Sequence, residues 1–141
     1  MSSRPYSQGS VGEQLAEQWF RENGWIMVRT QPETRVVYLN KPTVINCRGG
    51  GGVADYTGYE CVQIGPTKYP LYRAVEVKEV RGNTMPASRL EKDQRDWMAK
   101  IDPRCAFVGI CWADNPIAFE LFKFIPKGSF KKGCGTGFTR Y

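Results

Sequence analysis

Val11, Leu15, Trp19 and Phe20 fall on one stripe at helical spacing, between the capping-box pattern Ser10-Val11-Gly12-Glu13 and Gly24. The pattern predicts a first helix that opens at Ser10 and stops at Gly24. Residues 25–30 then form a β-rich run, Pro32 interrupts it, and residues 35–46 carry a second β-prone stretch broken by Pro42. Residues 47–52, which include Gly49 to Gly52, read as a flexible loop. Residues 53–64 and 71–80 predict two strands joined by the turn Gly65-Pro66-Thr67-Lys68. Ser88-Arg89-Leu90-Glu91 repeats the capping-box pattern and predicts a second helix that ends near Ile101, before Pro103. Residues 105–112 and 117–125 are further strands around the turn Ala113-Asp114-Asn115-Pro116. The order predicts an α/β or α+β sandwich of one domain, a central mixed sheet flanked by helices. The domain is expected over residues 10–125, after a disordered leader at 1–9. Residues 126–141 read as a basic, Gly-rich tail that orders only on a partner.

The central hairpin carries the chemistry. Residues two apart on a strand share a face, so Glu76 and Lys78 stand together with Tyr72 and Ala74, while Val75 and Val77 face the other way. If the strand led by Asp55 pairs with this one, a second carboxylate reaches the same spot. Two carboxylates and the Val77 carbonyl make a hard oxygen site for Mg²⁺ beside a lysine, an arrangement suited to hydrolysing a phosphodiester. The bland alternative is a surface salt-bridge cluster, but charges placed mid-strand in an apolar-rich run are costly unless they serve a site.

The 141-residue chain has a net charge of +6, which favours an acidic partner such as nucleic acid. It contains 0 histidines, which excludes Ser-His and Cys-His nucleophile pairs and His-ligated zinc. The 5 cysteines are odd in number and include no C-x-x-C pair, so neither zinc nor a disulfide framework is expected. No apolar run reaches the ~18 residues of a membrane span, and no signal-peptide core precedes the helix, so a soluble cytoplasmic protein without a membrane partner is expected. Gly49 to Gly52 lacks the Lys-Ser/Thr ending of a P-loop, so no nucleotide cofactor is expected.

Four segments carry a resemblance: Gly-x-x-Asp-Tyr-x-Gly-Tyr at Gly52 to Tyr59, Val75-Glu76-Val77-Lys78-Glu79, Met85-Pro86-Ala87-Ser88-Arg89-Leu90-Glu91-Lys92-Asp93-Gln94, and the strand ending Gly109-Ile110-Cys111-Trp112. With the helix bearing Glu13, they resemble the PD-(D/E)xK nuclease superfamily and, within it, the RecU-type Holliday junction resolvases of bacteria and their phages. The resemblance implies an α/β restriction-endonuclease-like fold and a homodimer that cuts four-way DNA junctions by paired nicks, using Mg²⁺ or Mn²⁺. It matches Asp55 and Glu76 to the metal-binding acids and Lys78 to the lysine of the motif. It also places residues 31–52 where relatives carry a protrusion that reaches into the junction centre. Here Val53 and Ala54 precede Asp55, where relatives often carry hydroxyl residues.

The remaining candidates have two readings each. Glu13 is either the acid of the capping box or an outer carboxylate for a second metal or its water. Gln94 lies on the stripe of Leu90, Trp97 and Ile101, where it satisfies backbone groups or, as the resemblance implies, supports Lys78 or a DNA phosphate. Ser88 is a helix N-cap whose hydroxyl also suits a phosphate. Arg29, Arg35, Lys41 and Arg48, with Tyr38, make a DNA-contacting arm or a solvated hairpin. Lys131 and Lys132 make an ancillary DNA contact or a solubilising extension. The leading expectation is a structure-selective endonuclease; a restriction-like, repair or flap nuclease of the same superfamily and a non-catalytic DNA-binding module are the alternatives.

Overall fold

A computed structural model describes residues 10–30, 33–38, 40–47, 54–114 and 116–140, with backbone alone at 33–38, 42–47 and 137–140. Helix α1 (Val11–Glu22) leads into β1 (Trp25–Arg29), the hairpin β2 (Glu33–Tyr38) and β3 (Pro42–Cys47), and the long strands β4 (Tyr56–Ile64) and β5 (Thr67–Val80). Then come β6 (Thr84–Pro86), a 3-10 turn (Ala87–Arg89), α2 (Lys92–Lys100), β7 (Ala106–Trp112), β8 (Ala118–Lys123), β9 (Ser129–Lys131) and β10 (Gly137–Arg140). The main sheet runs β1-β4-β5-β7-β8, with β10 as a sixth strand at the far edge. β5 and β7 are parallel and the other neighbours antiparallel, so the chain is an α/β fold around a mixed sheet. A parallel pair needs a crossover, and the segment bearing α2 supplies it.

Strand alternation divides the core in two. Val75, Val77, Phe107, Cys111 and Phe119 point to the α1 face, where they meet Leu15, Trp19, Phe20 and Trp25. Val80, Val108, Ile110, Trp112 and Phe122 point to the α2 face, against Leu90, Met98 and Met85. β7 lies between the two layers, so all seven of its residues are buried. Burial holds the Cys111 thiol neutral, pushed up to about 11.

Ser10 caps α1 as expected, its hydroxyl accepting the Glu13 N–H at 3.2 Å. The β4–β5 connection is tighter than the four-residue turn predicted. Ile64 pairs with Thr67, leaving Gly65 at φ +60 and Pro66 in a two-residue turn of type II′. β5 consequently begins at Thr67 and overhangs β7, whose pairing with it starts at Ala74.

Two expectations are corrected. Ser88 does not cap α2: it sits exposed in the 3-10 turn, and Glu91 is the N-cap. Leu90 is extended (φ −70, ψ 139) with its side chain in the core, and this resets the helix start. The segment after residue 125 is also not left to a partner. β9 pairs with β6, β10 pairs with β8, and Phe130 is buried against Phe122. Residues 1–9 and the Gly-rich loop at 48–53, including Arg48, lie outside the described residues. Among the described residues, no helix is long and apolar enough to cross a membrane.

Candidate active site

Asp55 stands at the mouth of β4, where the Thr30 N–H donates to its carbonyl at 2.7 Å and so ties it to the end of β1. Beyond Tyr56, β4 no longer accompanies β5, and the edge of β5 at Val77 is free to meet side chains instead of a strand. The Val77 N–H donates to Asp55 Oδ2 at 3.0 Å, and the Asp55 N–H donates to Glu76 Oε1 at 3.0 Å. Glu76 thus holds the backbone of Asp55, and Asp55 holds that of Val77, the residue after Glu76. Because the N–H and C=O of a strand residue leave the same edge, the Val77 carbonyl also faces the Asp55 side.

Glu76 is only 1% exposed, on the α2 face as strand parity requires. A buried carboxylate needs donors. Besides the Asp55 N–H, it receives the Gln94 Nε2 amide on Oε2 at 2.5 Å, and Lys78 Nζ lies 3.7 Å from the same oxygen. Lys78 keeps 24% of its side chain exposed, so its ammonium reaches the site from the solvent side. The structure therefore brings Asp55, Glu76, Val77, Lys78 and Gln94 together.

Gln94 satisfies a backbone group, as one of its two readings had it, and its other end meets a partner that neither reading named. Its Oε1 accepts the Glu91 N–H at 3.3 Å, completing the capping box of α2, while its Nε2 holds Glu76. The partner is Glu76, and neither Lys78 nor a phosphate is needed to satisfy it. Gln94→Ala is expected to lower activity roughly 10- to 100-fold, as loss of a group that orients a ligand does. It should also cost about 1–2 kcal/mol of stability. Rates and thermal melts of the purified variant check both, and an unchanged rate would reduce Gln94 to a cap.

Glu13 is placed elsewhere. Its carboxylate forms an ion pair with Arg29, which also meets Glu17 at 3.3 Å. Tyr56 completes this cluster on the α1 face, its hydroxyl donating to Glu17 Oε2 at 2.7 Å beneath the Arg29 guanidinium. Glu17 and Tyr56 are the residues that sequence reasoning missed here. The available signal was the pair Glu13 and Glu17, four apart on one helix face and in need of a cation. Burial, then the bond to Glu17, pushes the Tyr56 phenol well above the ordinary tyrosine range. A raised pKa means that its stabilising contribution is complete below the ordinary value and is lost as pH rises through the raised one. Tyr56→Phe should therefore cost about 1 kcal/mol at neutral pH and less in strong alkali. It should also remove one late-titrating phenol from the absorbance titration at alkaline pH.

The remaining candidates fall into two groups. Arg35 and Tyr38 lie on β2, paired with Ile45 and Pro42, and Lys41 is exposed in the connection, so a two-stranded hairpin carries them as predicted. Arg29 belongs to the Glu13–Glu17 cluster and not to that hairpin. Ser88, in the 3-10 turn, follows the β6–β9 ribbon that carries Lys131: Lys131 pairs with Thr84, the Ala87 N–H bonds to Gly128 O, and the Lys132 N–H donates to Asn83 O. Lys131 is exposed and Lys132 half-buried.

The donor set is that of a hard cation. Among the described residues, no three His, Cys, Asp or Glu side chains gather around one point, so Glu13 is not a third acid beside Asp55 and Glu76. Two carboxylates and one carbonyl fit Mg²⁺, which retains waters and takes its remaining ligands from substrate phosphate. They do not fit the four-ligand nitrogen and sulfur cage of structural zinc. Comparison of the chain with protein-family models, curated proteins and solved structures finds no match.

Proposed function

We propose that this chain is a Mg²⁺-dependent DNA endonuclease with a restriction-endonuclease-like fold, acting as a homodimer on four-way junctions in the manner of the RecU-type resolvases it resembles. The observation that carries the reading is the pair of bonds that ties the two acids to each other's strand, Asp55 N–H to Glu76 Oε1 and Val77 N–H to Asp55 Oδ2, with Lys78 Nζ 3.7 Å from Glu76. A merely electrostatic surface cluster has no need to bury one carboxylate at 1% exposure and hold it with a side-chain amide.

Asp55, Glu76 and the Val77 carbonyl are the groups that would hold Mg²⁺ or Mn²⁺. The chemistry the ion supplies when bound is polarisation of the scissile phosphate and a lowered pKa for a coordinated water. Gln94 fixes Glu76 so that the two carboxylates keep their relative position. Lys78, tethered beside them, donates to the attacking water or to a non-bridging phosphate oxygen and stabilises the charge that develops there. Hydrolysis in this arrangement leaves 5′-phosphate ends. The net charge of +6 and the bases of the β2–β3 hairpin and β6–β9 ribbon favour a polyanionic substrate.

The test is cleavage of a labelled immobile four-way junction beside its linear duplex, in Mg²⁺ and in Ca²⁺. Paired symmetric nicks on the junction in Mg²⁺, absent in Ca²⁺, are the expected result. Equal cutting of the duplex would make the chain a general nuclease, and tight binding without cutting would make it a DNA-binding module.

A further inference from the structure

The sheet leaves part of the α2 face open beside the acidic pair. Register places Ile26, Tyr59 and Tyr72 in one row across β1, β4 and β5, and Val28, Thr57 and Ala74 in the next. Glu76, bonded to the Asp55 N–H, follows on the same face. The rows are two residues apart, so the tyrosine row lies about 13 Å from the carboxylates, the length of roughly four stacked nucleotides.

This surface has the composition of a stacking platform. Tyr59 is 39% and Tyr72 44% exposed, flanked by Ile26 at 53% and Val28 at 64%. Ala74 donates its N–H to Cys105 O, so the even-numbered residues of β5 turn their backbone groups away from β4. Tyr59 and Tyr72 are therefore the close, non-hydrogen-bonded kind of cross-strand pair, with their side chains side by side. The same face of β5 carries exposed Lys68 at its start and Lys78 just past the acidic pair, so an ammonium stands at each end of the run that holds Tyr72, the buried Ala74 and Glu76. A second copy adding a strand at this edge is disfavoured, because Pro70 stands where an outward N–H is needed and Lys68 guards the end.

Resting on the nuclease reading above, we propose that the open face of β1, β4 and β5 binds unpaired nucleotides of the DNA substrate, their bases stacking on Tyr59 and Tyr72 while a neighbouring phosphate occupies the Asp55–Glu76 site. Aromatic side chains on a sheet accept any base, so this platform selects for single-stranded character and not for sequence. A four-way junction satisfies it where base pairs open at the branch point, and an intact linear duplex does not.

The experiment is binding of the full chain to a fluorescent single-stranded 20-mer and to its duplex, in EDTA so that nothing is cut. Tyr59→Leu, Tyr72→Leu, the double variant and the corresponding Phe variants are compared with the parent. Each Leu substitution is expected to weaken single-strand binding on the order of tenfold and the pair more, with duplex affinity unchanged. The Phe variants, which keep the ring, should bind like the parent. Unaltered single-strand affinity in the double Leu variant, or a parent that does not bind single strands, overturns the proposal. A free protein that is dimeric, and becomes monomeric with Ile26→Lys and Val28→Lys, overturns it too by making the face an interface between copies. Cleavage in Mg²⁺ is read in parallel. Cutting with no tyrosine dependence removes the platform alone, whereas tyrosine-dependent binding without cutting removes the nuclease reading alone.

Discussion

Asp55→Asn is expected to reduce junction cleavage by about three orders of magnitude or more, while folding and DNA affinity stay close to the parent. The substitution removes charge and almost nothing else. Asparagine keeps an oxygen able to accept the Val77 N–H that Asp55 Oδ2 now receives at 3.0 Å, and the backbone bonds to Thr30 and Glu76 do not involve the side chain. Glu76→Gln should inactivate to a similar degree but is less clean. Its new NH₂ group faces the Gln94 amide across the present 2.5 Å bond, and Gln94 cannot simply flip because its oxygen caps Glu91. Two donors in one buried place cost about 1–3 kcal/mol. The pair of variants therefore separates chemistry from stability: equal inactivation with unequal melting temperatures is the expected pattern. Calorimetric titration with Mn²⁺ should show binding lost in both. Parent-like turnover by Asp55→Asn would end the assignment of this site.

What could be read from the chain was what neighbours in sequence decide. The first helix, the Gly65-Pro66 hairpin and the shared face of Glu76 and Lys78 follow from capping, turn chemistry and strand parity, each of which acts within a few residues. The meeting of Asp55 with Glu76 follows as well, once the hairpin is granted. The misreadings lie where one side chain has two eligible partners. Glu13 has the spacing for the reciprocal half of a capping box, but packing of α1 against β1 offers it the Arg29 guanidinium. Ser88 begins the Ser-x-x-Glu pattern that capping preferences favour, and Glu91, which takes the N-cap in its place, is a residue type those preferences pass over. Burial of Ala87 and Leu90 decides it: turning both into the core leaves Ser88 exposed and starts the helix after Glu91.

The tail was misread for a related reason, which Glu120 makes testable. Composition at residues 126–141 is that of a disordered extension, and what orders it is a partner far back in the fold. Glu120 is 1% exposed in the middle of β8, an acid within an apolar strand, the same signal that marked Glu76. Its Oε1 accepts the Trp112 indole N–H and the Gly133 N–H, each at 2.9 Å, and its Oε2 accepts the Gly135 N–H at 2.6 Å. The approach is close enough that a Cβ at Gly135 would stand 2.5 Å from the Leu121 carbonyl and 2.6 Å from Glu120 Cγ. A mid-strand acid in an apolar run thus marks either a reaction site or a hidden anchor, and only the donors that reach it tell which.

Glu120→Ala should be the most damaging single change away from the acidic pair. It strands the buried Trp112 N–H, releases two glycine N–H groups and opens a void under the segment that carries Phe130, 2% exposed. An unsatisfied buried donor costs about 1–3 kcal/mol, and the total should reach about 2–4 kcal/mol, a fall in melting temperature on the order of 10 °C. Glu120→Gln retains one acceptor oxygen; placed at the Oε1 position, it still serves Trp112 and Gly133 and loses only Gly135. The expected order of stability is parent, then Gln, then Ala, measured by thermal melts. Trypsin supplies the local readout, since Lys127, Lys131 and Lys132 should resist cleavage in the parent and become early sites in Glu120→Ala. A melt superimposable on the parent's would mean that the anchor contributes nothing. If the lysines of the β6–β9 ribbon also touch DNA, the same variant should weaken junction binding while a saturating substrate concentration restores its cleavage rate, because the acidic pair on β4 and β5 is untouched. A tail that serves only the fold would lower the melting temperature and leave junction affinity unchanged below it.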